Sequence, residues 1–239
     1  MKKLFASVLY MLLLSVVLLG VPRIGRLVAN QFTTTGIDPD GAFLWMTIRH
    51  TVQALVILVL IFLLMKAKGI SFGLGLGNRE VGIKSVKKFL LFFTIYTFFA
   101  FVTVIVLGGF EPFPYPLTAR NILGHLGFQL FMSGPSEELI FRAFAITMVG
   151  LVIPQRILKN SISLANMYAS VIFGIAHMAI LFSPFSVSYS PFQVIYAMVL
   201  GLIYGDVYEK SKSFVYPMIM HSYTNVLMMG VTIILSFFL

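Results

Sequence analysis

Long apolar stretches, broken by short polar, glycine-rich or proline-rich segments, recur along all 239 residues of the chain. Each stretch approaches the roughly 20 residues that a helix needs to cross the hydrocarbon core of a bilayer. The pattern predicts seven spanning helices, at residues 4–21, 43–65, 89–108, 120–150, 162–182, 191–208 and 214–239. The expected fold class is therefore all-α, a polytopic membrane helix bundle. It reads as a single membrane domain over residues 1–239, with no internal repeat and no soluble domain. The fourth segment is too long for one plain span and carries Gly134-Pro135 at its middle. Proline removes a backbone donor, so a kink is expected there.

Composition strengthens this reading. Charged residues make up 10% of the chain and hydrophobic ones 59%, with a mean hydropathy of +0.98. Soluble domains carry about 25% charged residues. There are no cysteines, which removes disulfides, thiolate ligands and a cysteine nucleophile from consideration. Lys2-Lys3 followed by an apolar run imitates a signal peptide, but no small-x-small cleavage site follows, so a retained first helix is expected.

The net charge is +9, and the basic residues gather at the ends of apolar runs. That distribution points to membrane topology and away from nucleic acid. Of the 17 Lys and Arg residues, 12 fall on one side of the predicted spans. Arg23, Arg26, Arg49 and Arg120 fall on the other, and Arg142 lies within the membrane. The bias predicts an inside N-terminus, an outside C-terminus and a multi-pass protein of the cell membrane. The short chain and its lysine-rich start point to a bacterial plasma membrane. The expected partners are the lipid bilayer and a membrane-associated peptide or protein.

Against this background, the segment from Ser136 to Arg142 stands out, with two adjacent carboxylates and an arginine in apolar sequence. Charge at membrane depth is costly and marks a candidate functional site. Glu138 and Arg142 are four apart, so on a helix they share a face and can pair. Glu137 projects about 100° away, free of that arginine. Two further pairs have helical spacing, Phe173 with His177 and His221 with Asn225. Counting rise from the helix ends brings these groups to overlapping depths. An acid, two imidazoles and an amide could then activate water and stabilise an oxyanion. No cofactor is expected; a divalent metal such as zinc is open, since Glu and His are acceptable ligands, although no His-Glu-x-x-His motif is present. His50 and His125 are expected near the outer helix ends, in contact with interfacial water. Asp206 is expected to mark the inner end of the sixth helix.

The ordered set Glu-Glu-x-x-x-Arg, Phe-x-x-x-His and His-x-x-x-Asn on successive apolar segments resembles the CAAX protease and bacteriocin-processing family of intramembrane endopeptidases. The resemblance covers about residues 120–230, with Ala143 standing where many relatives have glycine. It implies that Glu137 activates water with the help of His177, and that His221 and Asn225 form the oxyanion site. It also implies that Glu138 and Arg142 shape the site, with Phe173 packing beside it. Gly201 and Gly205 would allow close helix packing. The leading expectation is an endopeptidase acting on a CAAX-type or bacteriocin- or pheromone-like substrate. A non-catalytic bacteriocin-immunity or scaffold protein is the alternative. A proton-coupled transporter is a third reading, weakened by the lack of a repeat.

Overall fold

The structure is a computed structural model that describes residues 2–157, 159–182 and 184–239. Among these residues it is an all-α membrane bundle. Helices α1 (Lys2–Ala29), α2 (Leu44–Lys68) and α3 (Arg79–Val106) precede a long helix α4 over residues 119–152. Then follow α5 (Leu164–Ala176), α6 (Pro191–Ser211) and α7 (Val215–Leu235). Two short antiparallel hairpins flank α5: β1 (Arg156–Ile157) with β2 (Ile162–Ser163), and β3 (Ala179–Phe182) with β4 (Phe185–Ser188).

Helices α1, α2, α3, α6 and α7 are each long and apolar enough to cross a membrane. Side chains such as Leu13, Phe62, Phe98 and Ile195 stay exposed on their outer faces. In water such faces would drive aggregation; in lipid they are the solvated surface. The seven predicted segments all appear as helix, with three corrections of extent, the third segment beginning ten residues early at Arg79. The first runs eight residues beyond the expected end, to Ala29, and so includes Pro22, Arg23 and Arg26. The fifth is much shorter than residues 162–182. It stops at Ala176 after 13 residues, roughly 20 Å, and the β3–β4 hairpin follows. Apolar sequence continued past the helix end because a hairpin in the same environment uses the same residue types.

Local chemistry sets the helix starts. Buried Asp38 accepts hydrogen bonds from the backbone N–H groups of Ala42, Phe43 and Leu44 at 2.9, 2.8 and 2.7 Å, ordering the entry to α2. Asn78, Thr118, Ser163 and Ser190 cap α3, α4, α5 and α6 through their side-chain oxygens. The kink expected at Gly134-Pro135 takes a different form. Helix α4 stays continuous, but Gln129–Ser133 and Leu139–Phe144 are π-helical, on either side of the α-helical turn Gly134–Glu138. A proline cannot donate to the carbonyl four residues back, and its ring crowds that carbonyl. A wider i→i+5 turn before it relieves both problems and re-aims the side chains that follow.

Two apolar clusters fill the bundle. One joins α1, α2, α4 and α5 around Leu18, Ile57, Ile140 and Ala169; the other joins α3, α6 and α7 around Phe93, Tyr204 and Met220. Close packing of α5 on α6 depends on Gly201 and Gly205, as expected. A side chain at Gly201 would press on Ser170, and one at Gly205 would overlap Asn166. Asn166 uses that closeness to donate to the Leu202 carbonyl at 3.0 Å.

Candidate active site

The buried charges sit at the seam between the two clusters. Arg142 and Glu138 are almost fully enclosed, with side chains 1% and 0% exposed, and Arg142 Nε lies 3.0 Å from Glu138 Oε2. Alignment between the two is poor for a hydrogen bond, and the guanidinium makes no other among the described residues. Aromatic faces take their place. Arg142 Cζ lies 4.4 Å from the Phe173 ring centroid and 5.4 Å from that of Tyr204. A desolvated cation over a ring gains electrostatic stabilisation that water would otherwise screen. Glu138 Oε1 accepts the Nδ1–H of His221 at 2.8 Å, so one carboxylate links α4 to α7.

Glu137 has a different surrounding. It reaches a cavity of about 270 Å³ whose lining includes Arg49, His50, Gln53, Phe173 and His177. Its oxygens lie 3.9 Å from His50 Nδ1 and 3.8 Å from His221 Nε2. Both separations exceed a direct hydrogen bond and leave the carboxylate free to bind a molecule in the cavity. Arg142 contributes no ion pair to Glu137 among the described residues. The i,i+1 step from Glu138 thus separates an enclosed, paired acid from a cavity-facing one.

His177 closes the helix that carries it. Met178 and the β3–β4 hairpin leave the helical path, so α5 ends with unsatisfied carbonyls. His177 Nδ1 lies 2.8 Å from one of them, the Phe173 carbonyl. A carbonyl can only accept, so Nδ1 carries the proton and Nε2 is the nitrogen left to accept from a partner. The Phe173 ring stands edge-on to the imidazole, with centroids 4.7 Å apart. Phe173 therefore packs against Arg142 and His177 together.

The other two expected groups sit behind the cavity. His221 touches both glutamates, as described, and stacks on Tyr204 with centroids 5.3 Å apart. Asn225, one turn later, donates to Ser133 Oγ at 3.1 Å. It does not belong to the cavity lining. Gly134 permits this approach of α4 to α7, because a Cβ there would come 2.7 Å from Ser222 Oγ.

Polar groups outside the three motifs also belong here. His50, expected in interfacial water, is buried and lines the cavity. Its Nδ1 lies 2.8 Å from Ser136 Oγ, and Gln53 Nε2 donates to the same hydroxyl at 2.8 Å. The residue preceding Glu137 is thereby clamped from α2. His125 is buried as well, with Nδ1 donating to the Ala42 carbonyl at 2.8 Å. Asp206 pairs with Lys210 at 2.6 Å near the end of α6. Among the described residues, no three His, Asp or Glu side chains converge as a metal-binding group.

Comparison with known families gives this arrangement a context. Residues 119–227 match the family described as type II CAAX prenyl endopeptidase Rce1-like. This segment is similar to that family. The match begins at the start of α4 and ends within α7, so it contains all three polar pairs. The likeness is in keeping with the multi-pass bundle, since the family's description is that of a CAAX prenyl endopeptidase. No curated protein and no solved structure matches the chain.

Proposed function

We propose that the protein is an intramembrane endopeptidase that hydrolyses a peptide bond in a membrane-associated protein or peptide through water activated by Glu137. The observation that carries this reading is the shared cavity. Glu137 and His177 come from different helices and line one space of about 270 Å³, ample for a water and a peptide carbonyl. His177, with Nδ1 committed to the Phe173 carbonyl, holds the water through Nε2. Glu137 takes the water proton as its oxygen attacks the carbonyl carbon, then passes that proton to the leaving amine as the C–N bond breaks. No other reactant is consumed.

Glu138, Arg142 and Phe173 hold the frame on which Glu137 and His177 are mounted. His221 and Asn225 are assigned to the developing oxyanion. Support for His221 is its 3.8 Å approach to Glu137. Asn225 has one of its two N–H donors committed to Ser133 and lies outside the cavity lining, so its share should be smaller than that of His221. A CAAX-type protein is the favoured substrate class, because the matching family is described by that substrate. The test is to map protein C-termini in membranes of cells expressing the wild type or Glu137→Gln. New C-termini should form with the wild type alone; identical maps would remove the proposal.

A further inference from the structure

Next to the cavity that holds Glu137 is a smaller recess of about 70 Å³, lined by Arg23, Arg26 and Arg49 together with Ile175 and Met178. The two spaces share Pro22, Arg26, Arg49, Ala176 and Met178, so they lie side by side against the same residues. Three guanidinium groups therefore flank a space that no carboxylate lines. Neither Arg26 nor Arg49 belongs to an ion pair among the described residues. Arg49 Nε is buried there without a hydrogen-bond partner. A buried unpaired donor of this kind is costly.

From this recess we infer an anion subsite, formed by Arg26 and Arg49, that binds the free C-terminal carboxylate of the peptide whose bond is presented to Glu137. The inference rests on the protease reading for the identity of the ligand. The size of the recess favours a carboxylate. Its volume suits a few water-sized groups, whereas a lipid phosphodiester carries two bulky arms. The fork of an arginine matches a planar carboxylate through two parallel hydrogen bonds. The position is also fixed by the fold. Gly25 lies so close to Arg49 that a Cβ on it would come 2.5 Å from the Arg49 carbonyl oxygen, which draws α1 onto α2 beside both arginines. Three of the four basic residues counted on the outer side thus belong to the mouth of the site.

Such a subsite would select peptides with a free end near the scissile bond over internal segments. Binding tests this without hydrolysis. Glu137→Gln protein in phosphatidylcholine nanodiscs is titrated with acetyl-trileucine as the free acid and as the carboxamide. The acid should bind roughly ten- to hundredfold more tightly, the range of a lost charge-assisted hydrogen bond. Adding Arg49→Gln should erase the preference, Arg49→Lys should restore part of it, and Arg26→Gln should weaken it independently. Equal affinity for the two forms, or saturable binding of neither, overturns the subsite. If the recess instead takes a headgroup, the acid and amide will not differ. Phosphatidylglycerol will then raise the thermal stability of the wild type but not of Arg49→Gln, which overturns it too. Failure of the protease reading is seen separately, as cleavage unaffected by Glu137→Gln.

Discussion

Removing the Arg142 guanidinium would leave the Glu138 carboxylate at the seam of the bundle with, among the described residues, His221 alone as its ion-pair partner. A buried charge stripped of its partner costs about 3–5 kcal/mol. Arg142→Leu should therefore lower the thermal unfolding temperature sharply, and Glu138→Gln should do likewise. A change of less than about 1 kcal/mol in either would mean that the pair is more hydrated than its burial indicates. His177 is expected to behave differently. Its imidazole sits at a helix end beside the cavity, so His177→Ala should cut turnover by about 10²-fold or more with little loss of stability. Parallel unfolding and cleavage measurements separate the two kinds of residue. The motifs exposed this division in advance, because i,i+4 spacing assigned Arg142 to Glu138 and left Glu137 unpaired. They could not give the His177 tautomer, which follows from where α5 ends.

At the scale of elements, α4 and α7 approach each other through Gly134. Gly134→Ala would put a Cβ 2.7 Å from Ser222 Oγ and 2.9 Å from its backbone nitrogen. The helices must part, so both stability and activity should fall, and the Asn225–Ser133 hydrogen bond should lengthen. Unchanged melting and turnover would show that the contact is loose. The entry to α2 gives a pH-dependent test. Burial pushes the Asp38 carboxyl up, but the three backbone N–H groups that it accepts from outweigh this and hold it below the usual carboxylate range. Its stabilising effect should then be complete above the unfolded-state value of about 4 and fade as pH falls through the lower folded value. Asp38→Asn should lower stability by about 1 kcal/mol at neutral pH and converge on the wild type in strong acid. A gap that persists in acid would refute the cap.

The α2 contribution to the site was the part that the sequence concealed. His50, Gln53, Ile57 and Ile61 are the buried positions of α2, spaced by three, four and four residues. That is an inward stripe whose first two members are polar, a signal present in the sequence. Counting depth along each helix separately hid it, because depth does not reveal which helices face one another. The short α5 escaped for a related reason: hydropathy reports burial in lipid, and the β3–β4 hairpin is as apolar as a helix end. Helix number and the three polar pairs were legible, since both are local patterns of period and spacing, although only five of the helices are long and apolar enough to cross a membrane.

For the whole molecule, the distribution of Lys and Arg predicts an orientation that labelling can test. The chain has no native cysteine, so Thr35→Cys and Gly75→Cys each give one reporter in an exposed connector. Thr35→Cys should react with an impermeant maleimide from outside intact cells, and Gly75→Cys only after lysis. The reverse pattern would invert the topology and turn the arginine-lined mouth of the site toward the cytoplasm.

The most direct measurement is turnover of a membrane-associated CAAX-type peptide by the purified protein in detergent, comparing the wild type with Glu137→Gln. If Glu137 supplies the base, kcat should fall by about 10²- to 10⁴-fold while the unfolding temperature changes little. Cleavage at the wild-type rate by a folded Glu137→Gln protein would contradict that role.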